Sequence, residues 1–126
     1  MNKLESKEDY LERILMLSEK MNHVRAIDLA TDMNFSKPSV SIALKKLKND
    51  DLISVDAHNG SITLTNKGRA IAEEIYEKHK IIASALIMLG VDNETALIDA
   101  CKIEHDISKI TFECLKKYVH SSKLKD

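Results

Sequence analysis

Apolar residues recur at three- and four-residue spacing over most of the chain and at two-residue spacing over one short stretch. From about Glu8 to Glu19, Tyr10, Leu11, Ile14, Leu15 and Leu17 form a helical stripe. Ser6 is read as the N-cap of this helix, with acids in its first turn, and Met21-Asn22-His23 as its end. A short helix is predicted from Ala26 to Met33, with Ile27, Leu29, Ala30 and Met33 inward. Asn34-Phe35-Ser36 reads as a turn whose Ser36 caps a third helix. Pro38 falls in the first turn of that helix, where its missing N–H costs nothing. Val40, Ala43, Leu44 and Leu47 give the helix its inward face, and it ends at Asn49 before Asp50-Asp51.

The period then changes. Leu52-Ile53-Ser54-Val55 and Ser61-Ile62-Thr63-Leu64-Thr65 are two β-prone runs around Asn59-Gly60, which predicts a hairpin with an Asn-Gly turn. A long helix follows from Lys67 to about Leu89, stopped by Gly90. Another runs from near Asn93-Glu94 to about His105, and a last one from about Ser108 to Tyr118, with a frayed polar tail from Ser121 to Asp126. Helix, helix, helix, hairpin, then helices is the order of a mainly α protein: a winged helix-turn-helix with an α-helical extension.

Composition narrows the function classes. The 126 residues are 44% hydrophobic and 31% charged, the mixture of a folded globular chain. No apolar run approaches the roughly 18 residues of a membrane span, and the polar, acid-containing start does not read as an export signal. No membrane partner and a cytoplasmic location are therefore expected. Only 3 Gly and 1 Pro argue against a loop-rich fold, while zero Trp and 4% aromatic residues argue against an aromatic base-stacking platform. Cys101 and Cys114 stand apart from any paired-cysteine motif, so free thiols are expected, or one thiolate bound to metal.

A net charge of −1 means that any DNA-binding surface must be local. Residues 1–70 hold 11 Lys+Arg against 10 Asp+Glu, yet Ser36 to Asn49 contains four lysines (Lys37, Lys45, Lys46, Lys48) and no acid. Ser36, Ser39 and Ser41 crowd the N-terminal end of that helix, where a groove-entering helix meets base edges. Lysines add counterion release. A solvated, serine-capped helix is the plainer explanation of the same pattern. Arg25 and Lys46 are expected phosphate contacts by charge, and the wing, Asp56 to Gly60, lacks Lys and Arg.

A second constellation suggests metal. Asp9 and Glu12 are i, i+3 on the first helix, and Cys101, Glu104 and His105 are i, i+3, i+4 on a later one, so each set shares a face. His79 lies on the long helix between them. Carboxylate, imidazole and thiolate together suit a borderline transition metal. Separately, the same residues could be first-turn acids, a surface histidine and a small buried hydrophobe.

In sequence order stand Glu8-Asp9-Tyr10-Leu11-Glu12-Arg13-Ile14, Ser36-Lys37-Pro38-Ser39-Val40-Ser41, Leu64-Thr65-Asn66-Lys67-Gly68, His79 and Ile103-Glu104-His105. Over residues 5 to about 119 this pattern resembles the diphtheria-toxin-repressor family of metal-activated transcriptional repressors, in the short form of its manganese-responsive branch. The resemblance implies a winged helix-turn-helix DNA-binding domain at 1–70 and a helical dimerisation and metal-binding domain at 71–126. It places metal ligands at Asp9, Glu12, His79, Cys101, Glu104 and His105. Cys101 departs from the manganese branch, which has glutamate there, and matches the iron branch, which has methionine where this chain has Asp9. The thiolate makes the site softer, favouring Fe(II), with Mn(II) the alternative and Co(II) or Zn(II) as surrogates. Among DNA contacts the resemblance implies Ser36, Pro38, Ser39 and Ser41, and Lys37 joins them as part of the basic run. It places Ile42 where the family has a base-reading glutamine.

These implications give a mechanism. The metal clamps the DNA-binding lobe to the dimerisation domain and so fixes two recognition helices at half-site spacing on a palindromic double-stranded operator. The apolar helices after residue 93, with Ile98, Ile103, Ile107, Ile110, Phe112 and Leu115, are expected to supply a homodimer interface. The chain is read as a regulator and not an enzyme, since no nucleophile motif, acid–base pair or Gly-rich phosphate loop is evident. The competing reading is a winged-helix regulator without metal, responding to an organic ligand or to cysteine oxidation.

Overall fold

A computed structural model describes residues 3–125, with side chains described for 7–122. Its elements are α1 (Lys3–Ser18), α2 (Ala26–Met33), α3 (Lys37–Asn49), β1 (Ile53–Val55), β2 (Ile62–Leu64), α4 (Asn66–Met88), α5 (Asn93–Ile103) and α6 (Lys109–Lys125). They form two compact units, residues 1–73 and 74–126. Among the described residues no helix is long and apolar enough to cross a membrane.

In the first unit, α1 buries Leu11 and Ile14, as its stripe predicts. It begins at Lys3, not near Glu8, because Leu4 to Lys7 contain no residue that breaks a helix. Ser6 therefore lies inside α1 instead of capping it, and its side chain is outside the described residues. The start of α2 is fixed by the Arg25 backbone N–H donating to the Asp28 carboxylate at 2.8 Å. It ends at Asn34, in the left-handed region at φ 56°. At the next helix the Ser36 hydroxyl oxygen accepts the Ser39 backbone N–H at 3.2 Å, the expected cap. Val40 and Leu47 then anchor α3 in the core.

β1 and β2 pair antiparallel, with Ile53 opposite Leu64 and Val55 opposite Ile62. The connection contains the expected Asn59-Gly60 pair within the Asp56 to Gly60 segment. Asp56 and Ser61 still pair through a 2.9 Å backbone bond, leaving Ala57 to Gly60 as a four-residue loop. The Asp56 carboxylate holds that loop by accepting the backbone N–H groups of His58 (2.8 Å) and Asn59 (3.0 Å). Gly60 closes it at φ 74°, a conformation open to glycine. The Val24 carbonyl accepts the Ile62 N–H at 2.7 Å, joining the hairpin to the segment before α2.

In the second unit, Ile81 and Ala85 of α4 pack with Phe112 and Val119 of α6. Ile82 and Ala83 pack with Ala100 of α5, and Ile107 and Leu115 lie against both clusters. Gly90, at φ 104°, lets the chain leave α4. Asp92 caps α5 by accepting the Thr95 N–H at 3.0 Å, and Ser108 caps α6 through the Thr111 N–H at 3.2 Å. The tail expected to fray from Ser121 is instead helical to Lys125. No Gly or Pro interrupts it, and the fully buried Val119 pins the preceding turn.

Candidate metal centre and nucleic-acid interface

The second unit brings four of the six expected ligands together. His79 projects from α4 and is buried, as is Glu104 just past the end of α5. The helical path continues beyond Ile103, with the Glu104 N–H bonded to Ala100 O and the Ile107 N–H to Ile103 O, so Cys101 and Glu104 keep their common face. His79 Nδ1 lies 3.2 Å from Glu104 Oε2 and 3.7 Å from Cys101 Sγ. His105 Nε2 lies 3.7 Å from Glu104 Oε1. One donor atom from each of His79, Cys101 and Glu104 falls within 4.8 Å of the others.

These separations test the fit to a metal. Bonds of about 2.0–2.3 Å at tetrahedral angles set neighbouring donors roughly 3.3–3.8 Å apart. Of the two contacts at His79 Nδ1, the 3.7 Å to Cys101 Sγ lies within that range and the 3.2 Å to Glu104 Oε2 just below it. Burial adds a second requirement, since a carboxylate held out of water needs a positive partner. A divalent cation or a protonated imidazole meets it. The donor set is mixed nitrogen, oxygen and sulfur, which disfavours Ca²⁺ and Mg²⁺. Asp9 and Glu12 are carried by α1 of the first unit, where Glu12 is buried and Asp9 partly so.

Tyr76, three residues before His79 on α4, was not among the expected site residues. Its ring stacks on the imidazole with centroids 6.5 Å apart and planes at 28°. Lys80 holds its ammonium 4.1 Å from the centre of the same ring. The i, i+3 spacing of Tyr76 and His79 was the available signal.

On α3 the core-facing residues are Val40 and Leu47, so the opposite face is free. Ser36, Lys37, Pro38, Ser39, Ser41, Ile42, Lys45, Lys46 and Lys48 are exposed or partly so. Arg25 lies apart from α3 and donates its Nε–H to the Asn59 carbonyl at 2.8 Å, which ties the wing loop to the start of α2. Sequence reasoning gave Arg25 a phosphate and missed this bond, because nothing in the spacing of residues 25 and 59 announces it.

Residues 3–60 match the family described as the iron-dependent repressor N-terminal DNA-binding domain. Residues 65–124 match the iron-dependent repressor metal-binding and dimerisation domain. The chain belongs to the iron-dependent, or diphtheria-toxin, repressor family. An uncharacterised HTH-type transcriptional regulator of Methanocaldococcus jannaschii is 38% identical over 121 residues, 94% of this chain and 96% of the relative. The transcriptional regulator MntR of Escherichia coli O6:H1 is 33% identical over 111 residues, 88% of this chain and 71% of the relative. The solved manganese regulator SloR superposes with a TM-score of 0.78 at 34% identity, over 90% of this chain and 53% of SloR. The chain thus spans about half the length of that solved relative. With both family domains present, it is a metal-dependent, DNA-binding transcriptional repressor of a family that does not consist of enzymes.

Proposed function

We propose that this chain represses genes of metal homeostasis when Fe(II), or alternatively Mn(II), occupies a site built on His79, Cys101, Glu104 and His105, with Asp9 and Glu12 completing the ligand set. The carrying observation is the convergence of Cys101 Sγ and a Glu104 oxygen on His79 Nδ1 in the region that matches the family's metal-binding domain. When bound, the metal supplies charge that holds these acidic donors together. Cys101 gives the site its preference for softer ions, the ground for placing Fe(II) ahead of Mn(II) and for using Co(II) or Zn(II) as surrogates. Because Asp9 and Glu12 belong to the DNA-binding domain, metal occupancy favours the conformers competent for DNA, and the protein acts as a population switch and not as a catalyst.

The expected partners are a palindromic double-stranded operator and a second copy of the chain, in the cytoplasm. The residues expected to supply the homodimer interface divide: Phe112 is core, whereas Ile98, Ile103 and Ile110 are exposed. Those three are the surface proposed to be covered in the dimer. On α3, Ser36, Lys37, Pro38, Ser39, Ser41, Ile42 and Lys46 are proposed to face DNA, and Arg25 a phosphate.

The test measures operator affinity with and without metal, beside sedimentation of the same samples. Glu12→Ala is expected to abolish the metal dependence while the dimer persists. A Glu12→Ala protein that binds DNA only with metal would overturn the ligand assignment. Metal-independent binding by the wild type would instead favour the rival regulator of organic-ligand or oxidation type.

A further inference from the structure

Ile42 is 60% exposed, on a helix whose other exposed residues are serine, proline, lysine and asparagine. At 100° per residue it stands roughly 200° around the helix axis from Val40. Val40 and Leu47 mark the buried stripe, so Ile42 points almost directly away from the core. Ser39 precedes it by three residues, and Lys45 and Lys46 follow by three and four, so polar groups and cations surround it on the same face. Packing within the unit gives no reason for a β-branched apolar side chain there. A helix that only approached phosphates would place a polar or basic residue at this point.

The major groove offers one apolar feature to such a side chain, the C5-methyl group of thymine. We propose that Ile42 is a specificity-determining residue that packs against a thymine methyl in each half-site of the operator. This rests on the DNA-binding reading above and adds which base the helix selects at one position. The serines at the N-terminal end of α3 admit the helix closely, and Lys45 and Lys46 neutralise phosphates on either side. Ile42 then removes a methyl group from water, and only T supplies that methyl among the unmodified bases.

The experiment uses the full chain loaded with Co(II) or Mn(II). Duplexes are first enriched from a random library, and each T of the enriched sequence is then replaced singly by deoxyuridine, which deletes the methyl and nothing else. Binding is followed by fluorescence anisotropy. The expected result is one position per half-site where deoxyuridine weakens binding about four-fold, the effect of exposing one buried methyl-sized group. Ile42→Ala should bind the T and U duplexes equally, and Ile42→Val should restore the difference. Unchanged thermal midpoints would show that the fold is intact in both variants. An enriched duplex with no residue-42-dependent methyl effect overturns the inference and points to a protein partner for Ile42. Failure to enrich any duplex, with either metal, overturns the DNA-binding reading as well.

Discussion

The imidazole Nδ1 of His79 stands 3.2 Å from a carboxylate oxygen of Glu104, with the two side chains only 7% and 0% exposed. In such a setting the charge state of one partner depends on the other, and a divalent cation between them would satisfy both. Glu104→Gln keeps the shape and removes the charge. Its expected effect is a loss of at least about 100-fold in Co(II) affinity, beyond the 10–100-fold typical of outer-shell partners. The dimer should survive. Isothermal titration with Co(II) checks this, and an affinity within about three-fold of wild type would remove Glu104 from the ligand set.

Sulfur is the donor that can be seen directly. Co(II) added anaerobically to the wild-type chain should produce thiolate-to-cobalt charge transfer together with d–d bands. Cys101, 3.7 Å from His79 Nδ1, is partly buried, while Cys114 is exposed on α6. Cys101→Ser should abolish the charge-transfer band and Cys114→Ser should leave it unchanged. A band that follows Cys114, or none in the wild type, would end the case for a soft, iron-preferring site.

Much of this architecture was legible from periodicity. The α2 and α3 boundaries follow from Asn34 and Ser36, whose local chemistry stops one helix and starts the next. The candidate ligands were legible because i, i+3 spacing puts Cys101 and Glu104 on one face. Less visible were features decided by partners distant in sequence. The Asn59-Gly60 pair marked where the hairpin turns, but not that the Asp56 carboxylate binds two backbone N–H groups and shapes the loop. Arg25 advertises its charge, not its bond to Asn59 O. Tyr76 was only one of several residues around His79 until the ring geometry singled it out.

Gly68 is held by space and not by conformation. A Cβ there would fall on the Leu52 carbonyl, which is backbone and cannot swing away. The same carbonyl accepts the Thr65 N–H at 3.0 Å, so moving it also disturbs the join between the hairpin and α4. Gly68→Ala should destabilise the protein by about 2–3 kcal/mol, at the upper end for an overpacked site, despite alanine's better helix propensity. Urea unfolding should show a lowered midpoint with an unchanged slope. A neutral or stabilising change would mean that Leu52 can shift freely.

Asp92 gives α5 a pH dependence of definite sign. Backbone and side-chain hydrogen bonds from Thr95 lower its pKa from the usual 3.8. A carboxyl group depressed on folding adds stability that is fully present above its unfolded value. That stability is lost as pH falls through the folded value, so the α5 N-terminus should loosen only below about pH 4. Amide exchange at Thr95 and Ala96, followed with pH, should report the loss. Asp92→Asn should retain the cap without the titration, and Asp92→Ala should lose protection at every pH. A wild-type profile flat through the acid range would show that the cap acts without its charge.

The lysines and Ile42 on α3 should be separable by salt. A lysine that neutralises a phosphate releases about 0.9 of a counterion in the salt dependence of binding, whatever the base sequence. Lys46, one turn beyond Ile42 on the outward face, should therefore contribute to every duplex alike. Lys46→Ala is expected to make the slope of log K against log salt shallower by about 0.9 per protomer, with the preferred operator unchanged. Ile42→Ala should do the reverse, leaving the slope intact while flattening discrimination at the thymine position. Both can be read from one anisotropy series over about 50–200 mM salt on enriched and scrambled duplexes. A Lys46→Ala protein that changed its preferred sequence but kept its slope would place Lys46 at a base edge instead of a phosphate.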